Sequence, residues 1–259
     1  MNKKIIFFDL DGTLIDHEIN GIPHSTKKTI KELKKRGHHI AIATGRPPGL
    51  AYQYVEELEI NTLIASNGRY VKYGSEVIKA DYIDYQTLVR FENEMHKLGY
   101  DLAFESENEF VVNRVSNDLV YKFCDYFNLD YPKADESFHL NYPILQIVMF
   151  FGESDFSFIA EKFPELSFNR SCPYGIDINK ANGMKEVGVQ AVLDYLNFDH
   201  KDVIAVGDGY NDISMIKMAA HGIAMGNACQ ALKDVADSVT DSCNQDGIYK
   251  AFKKLHLID

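Results

Sequence analysis

The chain has 259 residues, which suits one large domain or two domains of ordinary size. Apolar residues make up 46% of it and charged residues 25%, as is ordinary for a globular protein with a full core. The formal net charge of −11 argues against nucleic acid or an anionic membrane as the main partner. It leaves a small phosphorylated substrate open, because a pocket needs only a few local cations.

Strands and helices alternate from the amino terminus. Apolar runs predict three strands, over residues 5–8, 39–43 and 62–65. Helical patterns separate them, through residues 29–34 and over 52–58. Ser25 is the predicted cap of the first helix, and we expect that helix to stop at Gly37. Three strands separated by helices are typical of βαβ units and a parallel sheet.

The composition changes near residue 81, where Tyr, Phe, Asn and Glu become frequent. The patterns there predict helices over 86–98, 118–127 and 154–163, and strands over 110–114, 144–151, 166–169 and 174–179. The first pattern then returns, with helices over 186–196 and 213–219 and strands over 202–206 and 222–225. The sequence therefore predicts a discontinuous α/β core, residues 1–82 and 183–259, interrupted by an inserted α+β domain, residues 83–182.

Two aspartates, one residue apart, follow the first strand. The strand is a run of four large apolar residues, which predicts burial on both faces. The side-chain period of two directs Asp9 and Asp11 to the same side, at the strand end where open α/β sheets place ligand crevices. Two carboxylates in one crevice can divide the work between a nucleophile and an acid. A plain Asp-Gly turn is the alternative explanation.

A second acidic group, Gly207-Asp208-Gly209-Tyr210-Asn211-Asp212, follows the strand over 202–206. A helix cap would explain one of its aspartates, but not both Asp208 and Asp212 facing another aspartate pair across the sheet. Four carboxylates in one crevice would repel each other unless a cation joined them. Oxygen ligands together with a phosphate suit Mg²⁺, so we expect a magnesium site here.

Two further positions are candidates for holding an anionic oxygen. Thr44 and Gly45 end the second strand and offer a hydroxyl and an unhindered backbone N–H, although a simple strand-to-turn junction explains them equally well. Lys185 opens the helix before the strand over 202–206; it is either a phosphate ligand or a solvated surface lysine. The chain has no Gly-x-x-x-x-Gly-Lys-Ser/Thr loop, no complete dinucleotide-binding fingerprint and no Gly-x-Ser-x-Gly elbow.

The four cysteines lie far apart and show neither disulfide nor zinc-site spacing, which favours free thiols in a reducing cytoplasm. The apolar run near the amino terminus is interrupted by Asp9, so we expect no secretory leader. No stretch approaches the roughly 20 apolar residues of a membrane span. The sequence thus predicts a cytoplasmic protein, and it leaves the oligomeric state open.

Taken together, these motifs resemble those of the haloacid dehalogenase superfamily, in the same order along the whole chain. They are Asp9-Leu10-Asp11-Gly12-Thr13, Thr44-Gly45-Arg46, Lys185, and Gly207-Asp208-Gly209-Tyr210-Asn211-Asp212. The large insert and Ser66-Asn67-Gly68 resemble the Cof-type sugar-phosphatase branch. The resemblance implies a Rossmann-like core, a mobile α/β cap and Mg²⁺-dependent phosphoryl transfer through an aspartyl-phosphate.

The same resemblance implies roles for individual residues. Asp9 would be the nucleophile, and Asp11 the general acid and then base. The metal ligands would be Asp9, the backbone carbonyl of Asp11, and Asp208, with Asp212 supporting the waters of the metal. Thr44, Gly45, Lys185 and Asn211 would hold the phosphate. The chain departs from the branch at two places. Lys185 lies in Asn182-Gly183-Met184-Lys185-Glu186, without the usual glycine after the lysine. Arg69 occupies a position where small residues are usual, which predicts an altered pocket.

The leading hypothesis is a phosphohydrolase acting on small phosphorylated metabolites, above all sugar phosphates. A phosphomutase and a non-catalytic sugar-phosphate sensor are the alternatives. We expect substrate specificity to lie in inserted loops around 105–109 and 171–175, where Tyr174 would either stack on a ligand or pack within the insert.

Overall fold

The computed structural model of the protein describes residues 3–152, 155–181 and 183–259. These residues form fourteen strands: β1 (Ile5–Phe8), β2 (His39–Ala43), β3 (Thr62–Ala65), β4 (Tyr70–Tyr73), β5 (Glu76–Ala80), β6 (Leu102–Glu105), β7 (Phe110–Val112), β8 (Lys133–Ala134), β9 (Gln146–Phe150), β10 (Leu166–Cys172), β11 (Gly175–Lys180), β12 (Val203–Gly207), β13 (His221–Ala224) and β14 (Ser238–Val239).

The same residues form ten α-helices: α1 (His24–Lys35), α2 (Pro48–Glu57), α3 (Tyr85–Leu98), α4 (Leu119–Phe127), α5 (Phe138–Asn141), α6 (Ser157–Ala160), α7 (Lys185–Leu196), α8 (Ile213–Met218), α9 (Gln230–Lys233) and α10 (Gly247–Lys254). Short 3₁₀ turns also occur, over Ser66–Gly68, His200–Asp202, Tyr210–Asp212 and Cys243–Gln245. None of the helices that the described residues form has the length and apolar character needed to cross a bilayer.

The core sheet has eight strands in the order β14-β13-β12-β1-β2-β3-β4-β5. Neighbours from β14 to β3 are parallel, whereas β4 and β5 pair antiparallel at one edge. All four residues of β1 are buried, as a strand covered on both faces requires. The predicted α/β fold with a parallel-sheet core is confirmed.

Alternate residues of β1 pack on opposite faces of the core sheet. Ile6 and Phe8 belong to an apolar cluster with α1 and α10, while Ile5 and Phe7 belong to a cluster with α7 and α8. Burying each such side chain stabilises the fold by roughly 1.5–3 kcal/mol. The strand is thereby fixed between two helical layers, and its carboxyl end holds Asp9 at a defined place.

A second sheet lies in the segment between β5 and α7, and we call residues 83–181 the insert. Its strands run in the order β10-β11-β9-β6-β7-β8, all antiparallel except the β7–β8 pair. One face packs on α3 and the other on α4. This is the α+β arrangement that the sequence predicts, while the domain boundaries at 82/83 and 182/183 stay a prediction.

Several local predictions differ from the structure. The Ser25 side chain does not cap α1, which begins at His24 after Pro23. Helix α2 starts at Pro48, because proline suits the first turn of a helix, where its missing N–H is not needed. The antiparallel hairpin β4–β5 and strand β6 are absent from the predicted elements. Ser154, the predicted start of an inserted helix, and Asn182, the predicted last residue of the inserted domain, lie outside the described residues.

Candidate active site

Parallel pairing of β1 with β12 brings the two acidic motifs together. Phe8 lies opposite Val206, and the N–H of Asp9 donates to the carbonyl of Val206 (3.0 Å). The chain leaves both strands at the same edge of the sheet, so Asp9 and Asp208 meet there although they are far apart in sequence. The predicted juxtaposition of the two motifs is therefore present in the structure.

Carboxylate oxygens of Asp9, Asp208 and Asp212 lie within 4.8 Å of one another. Asp212 is fixed from both sides: one oxygen accepts from the N–H groups of Asp208 and Gly209 (2.9 Å each). The other accepts from Nζ of Lys185 (2.6 Å), which also donates to Asp9 (2.5 Å). Lys185 is fully buried, so the solvated surface lysine is excluded.

The charges of this cluster do not balance among the residues that the structure describes. Burial, and then the charge of Asp212, raise the pKa of Asp9 well above its usual value. Burial raises the pKa of Asp208 to about 7, and Asp212 adds to that effect. Burial lowers the pKa of Lys185, but Asp212 and Asp9 raise it more, so its ammonium group stays charged. One ammonium group facing three carboxylates leaves an excess of negative charge, and this hard-oxygen donor set fits a divalent cation such as Mg²⁺.

The carboxylate of Asp11 lies outside this acidic cluster but lines the same cavity as Asp9. It accepts two hydrogen bonds from Arg46, Nε to Oδ2 (2.8 Å) and Nη2 to Oδ1 (2.6 Å). Nε2 of the partly exposed His17 lies 3.7 Å from Oδ1 of Asp11. The role of the backbone carbonyl of Asp11 as a metal ligand stays a prediction.

The predicted phosphate-binding residues surround the acidic cluster. Gly45 and Asn211 line the cavity, and Asn211 donates to Oδ1 of Asn67 (3.0 Å). Thr44 is buried, and its hydroxyl accepts from the N–H of Arg46 (3.0 Å), which shapes the turn after β2. Thr44 and Lys185 are thus brought next to the site, and their contact with a phosphate stays a prediction.

The cavity has a volume of about 300 Å³ and lies between the core and the insert. Polar insert residues form one wall: Glu105, Gln146, Arg170, Ser171 and Asp177. Apolar side chains form another: Leu50, Phe123, Phe127 and Leu129. Glu105 and Ser171 fall in the two segments expected to set specificity, although both lie near the ends of strands, β6 and β10, and not in loops. Tyr174 is not among the lining residues and packs near Tyr126, with ring centroids 6.3 Å apart.

The expectation that Arg69 alters the pocket is wrong. Its side chain is 2% exposed and is not among the residues that line the cavity. Nη2 donates to the carbonyl of Gly183, and Nη1 lies 3.7 Å from a carboxylate oxygen of Asp81. The backbone carbonyl of Arg69 also accepts from the N–H of Asp81 (2.8 Å). Arg69 therefore contacts both chain segments that connect the core with the insert.

Sequence reasoning missed other residues of the site. Arg46 enters the sequence prediction only as part of a motif, and the motif does not reveal its contact with Asp11. Gln146 and Asp177 were not singled out, although each is a polar residue inside an apolar strand, a pattern that often marks a site. Asn227, whose Nδ2 donates to Asp208 (3.2 Å), carries no signal that the sequence could have revealed.

Residues 6–252 match the family model of the haloacid dehalogenase-like hydrolases. A protein of Bacillus subtilis (strain 168) named "Putative phosphatase YkrA" is 36% identical over 258 residues, covering 100% of both chains. The 5-amino-6-(5-phospho-D-ribitylamino)uracil phosphatase YitU of the same organism is 27% identical, covering 96% of each chain. The solved structure of the subclass IIB sugar phosphatase BT4131 superposes with a TM-score of 0.89 at 31% identity, covering 99% of this chain and 100% of that one. The chain therefore belongs to the haloacid dehalogenase-like hydrolase family, and it is a phosphatase within that family.

Proposed function

We propose that this phosphatase is a Mg²⁺-dependent phosphohydrolase that removes phosphate from small metabolites, above all sugar phosphates, through an aspartyl-phosphate. The observation that carries the proposal is the meeting of Asp9, Asp208, Asp212 and Lys185 at one sheet edge, with Asp11 on the same cavity. A protein that only bound phosphate would gain little from carboxylates beside an anion.

Asp9 and Asp208 would hold the Mg²⁺, with the backbone carbonyl of Asp11 as a further ligand and Asp212 supporting the waters of the metal. When bound, the ion would neutralise charge on the phosphoryl oxygens. Lys185 contributes a fixed positive charge at the same place, because its ammonium group is held by Asp9 and Asp212. These charges allow an anionic nucleophile to approach an anionic phosphate.

The proposed reaction has two steps. A carboxylate oxygen of Asp9 attacks phosphorus, and the bond to the leaving oxygen breaks while Asp11 gives that oxygen a proton. Asp11 then takes a proton from the water that cleaves the aspartyl-phosphate, which releases inorganic phosphate. Thr44, Gly45 and Asn211 would hold the phosphoryl oxygens during both steps.

The preference for sugar phosphates rests on two neighbours. BT4131 is described as a sugar phosphatase, and YitU acts on a phosphoribityl compound by its name. The insert, which forms one side of the cavity, would serve as a cap that excludes water and contacts the leaving group.

We also place the protein in the cytoplasm, since all four cysteines are free thiols.

The test is phosphate release from a panel of phosphate esters by the purified protein, with Mg²⁺ and with a chelator. We expect release with Mg²⁺ only. Asp9→Asn should abolish turnover and keep the fold, while Asp194→Asn, an exposed change on α7, should leave turnover unchanged. Phosphatase activity that survives in Asp9→Asn would remove Asp9 from the mechanism.

The two alternatives give different results in the same assay. A phosphomutase would reuse the aspartyl-phosphate on a second hydroxyl and yield an isomerised sugar phosphate in place of inorganic phosphate. A sensor would bind sugar phosphates and release no phosphate from any ester of the panel.

A further inference from the structure

The polar wall of the cavity is built from three strands of the insert sheet. Glu105 ends β6 and lies opposite Gln146 on β9, while Asp177 on β11 lies opposite Val148, two residues from Gln146. Because side chains alternate along a strand, all three polar side chains project from the same face of the sheet. Farther along β9 this face is apolar and covered by α4; near the core it is polar and borders the cavity.

Gln146 holds this wall in place. Its Nε2 donates to Glu105 (2.9 Å) and to the carbonyl of Gly45 (3.1 Å), which ties the insert to the core beside the catalytic cluster. Its Oε1 accepts from Asn67 (3.0 Å) and Asn179 (2.9 Å). The amide of Gln146 therefore has its hydrogen-bonding groups engaged and serves as a scaffold.

The two acids of the wall differ from Gln146 in this respect. A carboxylate offers about four acceptor positions. Glu105 accepts a hydrogen bond from Gln146, and Asp177 accepts from Asn67 (3.2 Å) and from the side chain of Ser171, so both acids keep acceptor capacity. Burial raises the pKa of Glu105 well above its usual value and that of Asp177 to about 6. Folding two acids into this place costs free energy that an amide would avoid, as is typical of groups that serve a site.

The apolar wall of the cavity and the contacts of Arg170 indicate which kind of leaving group would fit. Phe123, Phe127, Leu129 and Leu50 present an apolar wall. The guanidinium of Arg170 lies over the ring of Phe156 (5.4 Å) and donates to the carbonyl of Phe151 (3.4 Å). A leaving group that fits has an apolar side and several hydrogen-bond donors on its other side.

We infer that Glu105 and Asp177 select the leaving group, accepting hydrogen bonds from the hydroxyls of a carbohydrate or polyol and disfavouring a leaving group with its own carboxylate. This inference rests on the proposed function, because the phosphate of the same ester must reach Asp9. The two acids act on binding of the leaving group and take no part in bond cleavage.

The experiment compares two esters with alkyl leaving groups in the presence of Mg²⁺. One is the best substrate among hexose, pentose and alditol phosphates, and the other is hexyl phosphate, which lacks the hydroxyls. We expect kcat/KM of the wild type to favour the polyol ester at least about tenfold, because a site built to bond hydroxyls rejects an analogue without them. A ratio near one in the wild type would overturn the inference without any variant.

The variants are Glu105→Gln and Asp177→Asn, which keep the size of the side chain and replace its carboxyl group by an amide. Each should lower the ratio about 2- to 10-fold, the range for a typical hydrogen bond, while hexyl phosphate turnover changes less than about twofold. That turnover also shows that a variant is folded; if one variant lacks it, the other decides. Glu136→Gln, an exposed change in the insert at a residue that does not line the cavity, should leave the ratio unchanged.

Three results separate the possible failures. Equal losses for both esters would make the two acids structural and overturn the inference. A wild type that prefers a sugar acid phosphate, such as 6-phosphogluconate, over the corresponding sugar phosphate would also overturn it. If the wild type released phosphate from neither ester nor from p-nitrophenyl phosphate, the proposed function itself would fail.

Discussion

The guanidinium of Arg46 meets the carboxylate of Asp11 along two hydrogen bonds, and the same Nη2 also donates to the carbonyl of Phe127 in the insert (3.3 Å). Both bonds to Asp11 are short, 2.8 and 2.6 Å, and the arginine side chain is 9% exposed. Arg46 therefore fixes the orientation of Asp11 and connects that orientation with the position of the insert.

Arg46→Ala should impair the proton transfer that we assign to Asp11. Without the two hydrogen bonds the carboxylate can rotate, and misplacement of a reacting group by about 1 Å costs up to roughly 100-fold in rate. The loss of kcat/KM, which reports the step that releases the leaving group, should be large for an alkyl phosphate and small for p-nitrophenyl phosphate, whose leaving group needs little protonation. Arg36→Ala, far from the site, should change neither rate. Equal losses for the two esters would contradict this positioning role.

Lys185→Met should destabilise the protein in a Mg²⁺-free buffer. The change leaves Asp9 and Asp212 buried without their ammonium partner, and removing one partner of a buried ion pair costs about 3–5 kcal/mol. Urea unfolding in the presence of a chelator measures the loss. Lys217→Met, an exposed change on α8, should leave the unfolding free energy within about 0.5 kcal/mol of wild type. A stable Lys185→Met protein would show that the carboxylates are not charged together.

Gly12→Ala should raise the Mg²⁺ concentration needed for half-maximal activity. Gly12 has a φ of +75°, and a Cβ there would lie 2.2 Å from Oδ2 of Asp208, so the carboxylate must move. Gly74→Ala is the matched control, because Gly74 has a φ of +57° with nothing within 4 Å of the added atom. Both changes carry backbone strain, and the first alone displaces Asp208. The same Mg²⁺ requirement in both variants would contradict a role for Asp208 in binding the ion.

Asp177→Asn should change how stability depends on pH. Burial raises the pKa of Asp177 to about 6 from the usual 3.8, so the folded state binds its proton more tightly than the unfolded chain does. The contribution of this group to the unfolding free energy is therefore present at low pH and falls as the pH rises from about 4 through about 6. Asparagine does not titrate, so the variant lacks this decrease. As the pH rises from about 4 through about 6, its unfolding free energy should increase relative to that of the wild type by about 1.4 kcal/mol for each unit by which folding shifts the pKa of Asp177.

Urea unfolding of the wild type and Asp177→Asn at about pH 4.5 and about pH 7.5 checks this expectation. The gap in unfolding free energy should differ between the two pH values. Asp194→Asn, an exposed change, should show the same gap at both. A constant gap for Asp177→Asn would mean that its carboxyl titrates as it does in water.

Much of the site at the carboxyl ends of the core strands could be predicted, because it depends on local sequence patterns. Four apolar residues before Asp9 define a doubly covered strand, and parallel strands end at one edge, so Asp9 and Asp208 had to be near each other. The burial of Lys185 could not be predicted in this way. It depends on how α7 packs, and a single lysine at a helix start carries no periodic signal.

The polar wall was harder to predict, because it depends on the approach of two sheets. Once the strands are paired, the alternation of side chains places Gln146 and Asp177 on one face of the insert sheet. It does not show that this face borders the site at the carboxyl ends of the core strands. Arg69 shows the reverse error: its position beside Asn67 and Gly68 suggested a pocket residue, whereas its long side chain extends to Gly183. The hairpin β4–β5 was missed although its two-residue connection, Gly74 and Ser75, is typical of a tight turn.

Arg69 has a consequence for building chimeras of these proteins. Its side chain reaches Gly183 and Asp81, so the segments by which the chain enters and leaves the insert are both fitted to one arginine. Asp81 and Gly183 flank the insert, so an insert spliced in from a relative with a small residue at this position would have to join two chain ends that Arg69 holds. A shift of either end would leave the arginine buried without that acceptor. Grafted specificity should therefore transfer only when residue 69 and both junctions are exchanged as a unit.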